Sequence, residues 1–495
     1  MGKVYLVGAG PGDPGLLTLN GYEAVKNADC LIYDRLVGDE IIHIAKPECE
    51  LIYVGKENHR HTLPQEKINE LLYKKALEYE HVVRLKGGDP YVFGRGGEEA
   101  LYLLGKGISV DVVPGISSSI AALSYAGIPI THRGISTNFH VFTAHGRKDE
   151  MIEIDYSALL DESCTAVFLM GLSHVGKISK RFLEAGRKEE TPVAVISNGT
   201  LPNQKTCVGN LLTIEEKVKE AGLTSPAIIV VGNTVNLVEN LAFFENRPLF
   251  GKRYFVPYIE GFDFTFANGL TAMRDSRLAT MIKKQGGDVM PYKVGRISPL
   301  AIDFSFLKEM SDDDYLVFTS QNGVAACMSE LKRQGLSIRD LKGKIAVVGK
   351  KTAKAIEGFG LSVDVMPEKQ LGVCLGKELE GEIEDLSTKV IWLAAKKYSK
   401  GLEVELAGRC DLTILPAYEN KEVDEAFDEL EVDGVIYTSA SNARRCIKRA
   451  QGKLEGVPVY SIGAVCSREI KRLGCMNFEE AKEPSYEAIV ELLAK

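Results

Sequence analysis

The chain has 495 residues, more than the ~250–300 that one hydrophobic core organises, so two or more domains are expected. Apolar residues make up 45% and charged residues 26%, an ordinary globular balance, and no apolar stretch approaches the ~20 residues that span a bilayer. The net charge of −8 and pI near 5.7 argue against nucleic acid, which selects basic surfaces, yet leave room for a polyanionic small molecule held by local basic residues.

Short β-rich runs alternate with amphipathic helical stretches throughout, the pattern of an α/β protein. The first residues run straight into a strand pattern without the features of a leader peptide. The ten cysteines are scattered, with none at CxxC spacing and no zinc-type cluster, so no metal is expected. Both features point to a cytoplasmic location with thiols acting as small buried hydrophobes. Strands are expected at Val4–Gly8, Cys30–Tyr33, Val82–Leu85, Val110–Val113, Phe139–Thr143, Ala166–Met170, Val193–Ile196 and Ala227–Val231. Several are continuous apolar runs, as in strands covered on both faces.

After the first strand, Gly8-Ala9-Gly10-Pro11-Gly12-Asp13-Pro14-Gly15 contains GxGxxG read from Gly10. Pro11 and Pro14 have no N–H for a phosphate, and Asp13 sets a carboxylate where a pyrophosphate would lie, so a dinucleotide site is disfavoured. Asp13 suits an N-cap and Pro14 a first helical position, with Leu16, Leu17, Leu19, Tyr22 and Val25 as the buried face. The loop reads equally as a tight strand-to-helix turn or as a ligand contact.

Further motifs lie just past strand ends: Tyr33-Asp34-Arg35, Val54-Gly55-Lys56, Lys86-Gly87-Gly88-Asp89-Pro90, Pro114-Gly115-Ile116-Ser117-Ser118, Met170-Gly171 and Asn198-Gly199-Thr200. Open α/β sheets bind ligands along that edge, and paired glycines let backbone approach a ligand. Taken together, VYLVGAGPGDPGLLTL, LIYDRLV, IYVGK, VVRLKGGDPYVFGRGGEEA, VVPGISS, YAGIPITHRG, TPVAVISNGT and SPAIIVVG make residues 2–240 resemble uroporphyrinogen-III C-methyltransferase.

The resemblance implies a class III methyltransferase of two α/β subdomains spanning about 1–245, with S-adenosyl-L-methionine as cofactor and S-adenosyl-L-homocysteine as its product. By motif the cofactor contacts are Pro11, Gly87, Gly88, Asp89, Val92, Ser117, Ser118, Met170 and Gly199. Asp34 falls on the proton acceptor and Lys56 on the proton donor. Arg35, Lys56, Arg60, Arg84, His132 and Arg133 are candidates for gripping the carboxylates of uroporphyrinogen III. A homodimer through this half is also implied.

Near Asn240–Arg253 the pattern restarts. Val317-Phe318-Thr319-Ser320-Gln321-Asn322 is echoed by Ile436-Tyr437-Thr438-Ser439-Ala440-Ser441, which reads as two similar α/β lobes. FTSQNGV, KIAVVGKKTAKAIEGFG, LPAYEN, YTSAS and EPSYEAIVELL make residues 250–495 resemble uroporphyrinogen-III synthase, a bilobal Rossmann-like fold. It implies lobes at about 251–293 with 420–495, and 294–419, and cofactor-free closure of hydroxymethylbilane. Thr352 and Tyr418 are its candidate functional residues, with Ser320, Thr438, Ser439 and Ser441 as hydroxyl donors. The opening strand, Tyr254–Tyr258, lacks the family's Thr-Arg-Pro ending, and no arginine follows Trp392-Leu393-Ala394-Ala395. The alternatives are a non-catalytic tetrapyrrole-binding module in the second half, or a methylase for a later corrin intermediate.

Overall fold

The computed structural model describes residues 2–55, 63–144, 152–261, 277–383, 385–423, 431–450 and 452–495. It divides into two compact units, Met1–Lys252 with Gln285–Gly287, and Arg253–Lys284 with Asp288–Lys495. Among the described residues no helix is long and apolar enough to cross a membrane.

The first unit holds two sheets. In one, β1 (Lys3–Gly8), β2 (Cys30–Tyr33), β3 (Glu50–Tyr53), β4 (His81–Lys86) and β5 (Ser109–Val113) run in the order β3-β2-β4-β1-β5, every pair parallel. All five strand ends therefore open on one edge. One face is covered by Ile68, Leu72 and Ala76 of the helix Gln65–Glu78 and Ala100 and Leu103 of the helix Gly96–Gly105; Val25, Ile41 and Ile42 cover the other.

The other sheet contains β6 (Asn138–Thr143), β7 (Cys164–Leu169), β8 (Pro192–Ser197), β9 (Lys205–Asn210) and β10 (Ala227–Val231), ordered β6-β7-β10-β8-β9. It is mixed: β6 and β7 are parallel, whereas β10 is antiparallel to β7 and β8, and β9 to β8. The C-terminal ends of β7 and β8 still share an edge, because β10 between them runs antiparallel to both. The expected single edge of site loops is thus two edges, one on each sheet. β3 and β9, absent from the expected strands, lie at sheet margins and are partly exposed, so they lack the apolar run of a buried strand.

One expected helix face needs correction. Asp13 caps only a short 3-10 turn, Pro14–Leu16, and the α-helix starts afresh at Leu19–Lys26 with Thr18 as its cap. That restart changes the phase: Val25 is buried, but Leu19 is 86% and Tyr22 42% exposed.

The second unit is built on one nine-stranded sheet of β11 (Arg253–Glu260), β12 (Asp288–Pro299), β13 (Tyr315–Phe318), β14 (Lys344–Val347), β15 (Lys389–Ala395), β16 (Asp411–Glu422), β17 (Gly434–Tyr437), β18 (Val459–Ser461) and β19 (Glu479–Glu480). Its order is β14-β13-β15-β16-β12-β11-β17-β18-β19. Each half is parallel within itself, and the halves join where Gly295–Pro299 of β12 runs antiparallel to Tyr418–Glu422 of β16. β12 and β16 each run unbroken for 12 residues through this junction. Both halves place their second strand outside the first and the third on its other side. This doubly wound order has its switch points between β11 and β17 and between β13 and β15.

Candidate active sites

In the first unit three loops meet backbone to backbone. Gly10 donates to the Gly88 carbonyl at 3.1 Å and accepts from the Gly88 N–H at 2.7 Å, tying the loop after β1 to the loop after β4. A Cβ on Gly115, after β5, would stand 2.2 Å from the Gly88 oxygen and 2.6 Å from the Gly8 Cα. Only glycine permits that approach. Asp89 locks the set, its Oδ2 accepting from Gly115 N at 3.0 Å and its Oδ1 from Tyr91 N at 2.8 Å. Both carboxylate oxygens therefore hold loops in place, a role the sequence did not assign to it.

The loop after β2 joins them. A Cβ on Gly87 would meet the Leu36 Cβ at 2.7 Å, and one on Gly38 the Gly12 oxygen at 3.3 Å. Asp34 opens this loop with its side chain 27% exposed. Its Oδ1 accepts from Leu36 N at 3.1 Å and its Oδ2 from Arg84 Nη2 at 3.3 Å. Lys56 and Arg60 lie outside the described residues.

The loop after β8 packs on the same constellation from the second sheet. Gly199 leaves no room for a Cβ, which would lie 2.4 Å from that of Ala122 in the helix Ser118–Tyr125. Ser117 caps that helix, accepting from Ser119 N at 3.3 Å, and Ser118 begins it. Asp13 donates its N–H to Thr200 Oγ1 at 3.2 Å, and its Oδ2 accepts from the Tyr125 hydroxyl at 2.6 Å. Burial, then the bond to Asp13, pushes the Tyr125 hydroxyl well above its ordinary pKa. The structure thus brings together Pro11, Gly87, Gly88, Asp89, Ser117, Ser118 and Gly199 through their loops, with Val92 following as its N–H donates to the Asp89 carbonyl at 3.3 Å. Met170 opens the loop after β7, 52% exposed, on the edge that also carries Gly199.

Backbone strain marks these same loops. Five described non-glycine residues have positive φ: Phe93 and Arg95 beside Val92, Met170 itself, and Asn198 and Thr200 on either side of Gly199. Such residues are uncommon and gather at functional sites.

Arg84 differs from its expected place in the substrate cleft. It is 4% exposed, with Nε 3.4 Å from Glu99 Oε1 and Nη1 donating to the Leu85 carbonyl at 2.9 Å. Glu99, fully buried, also accepts from Lys86 Nζ at 3.0 and 3.1 Å and from Gln65 Nε2 at 3.0 Å. Burial lowers the Lys86 pKa, Arg84 adding repulsion and Glu99 opposing both. The sequence signal was two cations at alternate positions of an otherwise apolar strand, which share one face. His132 and Arg133 are exposed, and the His132 ring nitrogen Nδ1 lies 2.8 Å from the Arg133 carbonyl. Arg35 is exposed as well.

In the second unit Thr352 is buried in the helix Lys350–Glu357 after β14. Tyr418 is 8% exposed on β16, where burial raises its pKa against an opposing hydrogen bond with Ser320. Ser320 caps the helix Gln321–Arg333 after β13, accepting from Asn322 N at 3.1 Å. Tyr418 and Ser320 therefore meet beside one switch point. At the other, Ser439 Oγ lies 3.1 Å from Ser441 Oγ, and Asn442 donates to Thr438 Oγ1 at 3.2 Å and to the Pro257 carbonyl at 3.0 Å. Among the described residues no group of His, Cys, Asp and Glu has the arrangement of a metal site.

Residues 3–215 match the family of tetrapyrrole (corrin/porphyrin) methylases, and residues 276–491 that of uroporphyrinogen-III synthase HemD. The porphyrin biosynthesis protein HemD of Ruminiclostridium josui is 34% identical over 478 residues, covering 94% of this chain and 91% of its own length. A uroporphyrinogen-III C-methyltransferase of Bacillus subtilis is 48% identical over 247 residues, half of this chain and 96% of its own length. Among solved structures, a uroporphyrin-III C-methyl transferase from Thermus thermophilus, complexed with S-adenyl homocysteine, matches at 37% identity and a TM-score of 0.42. That match covers 48% of this chain and 94% of the solved one. The chain belongs to the tetrapyrrole methylase family through its first half, joined in one polypeptide to a uroporphyrinogen-III synthase domain.

Proposed function

We propose that residues 1–245 methylate uroporphyrinogen III twice, giving precorrin-2, and that residues 250–495 make that substrate by closing hydroxymethylbilane. The observation that carries the first assignment is the coincidence of all five strained non-glycine residues with the loops of Val92, Met170 and Gly199. Bound S-adenosylmethionine supplies an electrophilic methyl on a sulfonium sulfur and leaves as the thioether S-adenosylhomocysteine. The cradle suits such a ligand, because loops closed by Gly87, Gly88, Gly115 and Gly199 present main chain rather than side chains. Pro11, Gly87, Gly88, Asp89, Val92, Ser117, Ser118, Met170 and Gly199 would hold it.

The pyrrole carbon of a porphyrinogen is electron-rich, so methylation needs no metal. A new C–C bond leaves the ring cationic, and a proton must then go. Asp34, two-point held and still part-exposed, takes that proton in this reading, and Lys56 is the donor. General base help is worth ~10²–10⁴ in rate. Orientation of the two reactants is worth more, ~7–11 kcal/mol.

In the second half the reaction makes a carbon–carbon bond, inverts the last ring and expels water. Holding a flexible polyanion in a wrapped shape is an orientation task, and Thr352 and Tyr418, with Ser320, Thr438, Ser439 and Ser441, are the groups we assign to it. We also propose a homodimer formed through the first half, and a cytoplasmic location, which the ten free cysteines support.

Incubating the protein with hydroxymethylbilane and S-adenosylmethionine tests both halves at once. The expected product carries two added methyl groups on the type III isomer. Type I isomer alone would leave the second half a binding module. Asp34→Asn should lose about 10²–10⁴ in turnover while keeping S-adenosylhomocysteine affinity by calorimetry. An affinity loss that matches the rate loss would contradict Asp34 as the base.

A further inference from the structure

We propose that Glu99 is a positioning residue for methyl transfer, acting on Asp34 through Arg84; this rests on the reading of Asp34 as proton acceptor. Four charged groups form a chain beneath the site: Lys86, Glu99, Arg84 and Asp34. The first three are buried, with Lys86 at 6%, Glu99 at 0% and Arg84 at 4% exposed, and only the Asp34 side chain, at 27%, reaches toward solvent. Of the four side chains, only that of Asp34 bonds to a site loop, accepting from Leu36 N.

Each link is geometrically occupied. Glu99 Oε1 is shared among Lys86 Nζ at 3.0 Å, Gln65 Nε2 at 3.0 Å and Arg84 Nε at 3.4 Å. Gln65 is itself held by Asn69 Oδ1 at 3.0 Å. Arg84 Nη1 is engaged by the Leu85 and Ile32 carbonyls at 2.9 and 3.4 Å, leaving Nη2 for Asp34 Oδ2. The guanidinium plane is thus fixed from three sides, and its last donor sets where one Asp34 oxygen lies. The Leu36 N–H sets the other.

Stability does not account for this arrangement. Replacing buried ion pairs by packed apolar groups is often neutral or stabilising, so two cations and a carboxylate inside an apolar layer are poor evidence of a folding role. A base that must meet a ring proton in one orientation does account for it. With Glu99 removed, Arg84 and Lys86 would share Asp34 as their one remaining anion, and the guanidinium would swing toward it.

Glu99→Gln keeps shape and removes charge. Its turnover in methyl transfer should fall roughly 10–100-fold, the scale of a small misplacement of a reacting group. KM for S-adenosylmethionine and S-adenosylhomocysteine affinity by calorimetry should stay within about twofold, because losing an interaction made only in the transition state lowers kcat and leaves KM. In an Asp34→Asn background the same substitution should cost nothing further, since residues that work as a unit are not additive. Wild-type turnover in Glu99→Gln, or losses that multiply in the double variant, overturns the proposal. Wild-type turnover in Asp34→Asn overturns instead the assignment of Asp34. Should Glu99→Gln fail to bind S-adenosylhomocysteine, Arg84→Lys decides: its ammonium cannot span Asp34 and Glu99, so the same kcat loss is expected, and wild-type turnover refutes the relay.

Discussion

The loops of the first unit that carry candidate site residues are closed by Gly87, Gly115 and Gly199, at each of which a Cβ would meet a neighbouring atom at under 3 Å, and five described non-glycine residues there adopt positive φ. In the second unit every described residue of positive φ is a glycine, and the candidate residues sit on a strand, in a first helical turn or in the short strand-to-helix turns. The first site is therefore held by main chain under strain, the second by topology and hydroxyl caps. A strained cradle suits a task where two small groups must align in one geometry. A wide switch-point edge lined with hydroxyls suits a long flexible polyanion.

The largest expected effect tests the strained side. Gly115→Ala would drive a methyl into the Gly88 oxygen and the Gly8 Cα, neither of which can move cheaply. Methyl transfer should fall about 10²-fold or more, the cost of a misplacement near 1 Å, while isomer formation by the second half in the same chain stays unchanged. The matched control is Gly381→Ala, in the helix Gly372–Glu382 with nothing within 4 Å of the new methyl. It should stabilise by about 0.5–1 kcal/mol and alter neither activity. Equal, mild outcomes at the two glycines would erase the distinction between the units.

Much of this division was legible beforehand. Strands such as β7, CTAVFL, and β10, AIIVV, are fully buried and carry their own signature. Asp13 as a cap was readable because its spacing to Gly15 follows from local chain chemistry. The positive φ values were not, since Phe93, Arg95 and Thr200 are residue types that seldom adopt them. Arg84 misled for a related reason. Arg84 and Lys86 after a pair of valines read as charges bound for solvent, and the Glu99 that neutralises them lies fifteen residues beyond Arg84 on a helix. The mixed order of the second sheet was equally hidden, because β10 has the apolar run of a buried strand and nothing in that run fixes its direction.

A second contrast sets Glu99 against Glu330. Glu330 accepts from Arg333 at 2.6 and 2.7 Å and from Gln334 at 2.7 Å, and these bonds, Arg333 first, draw its pKa from 4.5 to about 2. A lowered carboxylate contributes stability that is complete above pH 4.5 and fades as pH falls toward 2. Its partner Arg333 is 66% exposed, so solvent screening trims the contribution to about 2 kcal/mol. Glu330→Gln should lower the unfolding free energy of the second half by about that amount at pH 7, and the gap from wild type should close by pH 2. Synthase and methyl-transfer rates should not move, unlike those of Glu99→Gln. A pH-independent gap would mean that Glu330 acts through packing.

Ser320 gives the smallest effect and the finest distinction, because capping and substrate contact predict different rescues. Ser320→Ala loses the bond to Asn322 N, which costs about 1 kcal/mol in a helix cap, and also the bond with Tyr418. Asparagine and aspartate both cap well, so Ser320→Asn and Ser320→Asp should each recover the thermal transition. If Ser320 only caps, both should also recover isomer formation. On the reading here they differ: a carboxylate beside Tyr418 meets the carboxylates of hydroxymethylbilane as a like charge, so Ser320→Asp should keep a several-fold raised KM, relieved by salt, while Ser320→Asn should not. Equal KM values for the two rescues would place the substrate elsewhere than this switch point, and with it the idea that the second half works through hydroxyls at its strand ends.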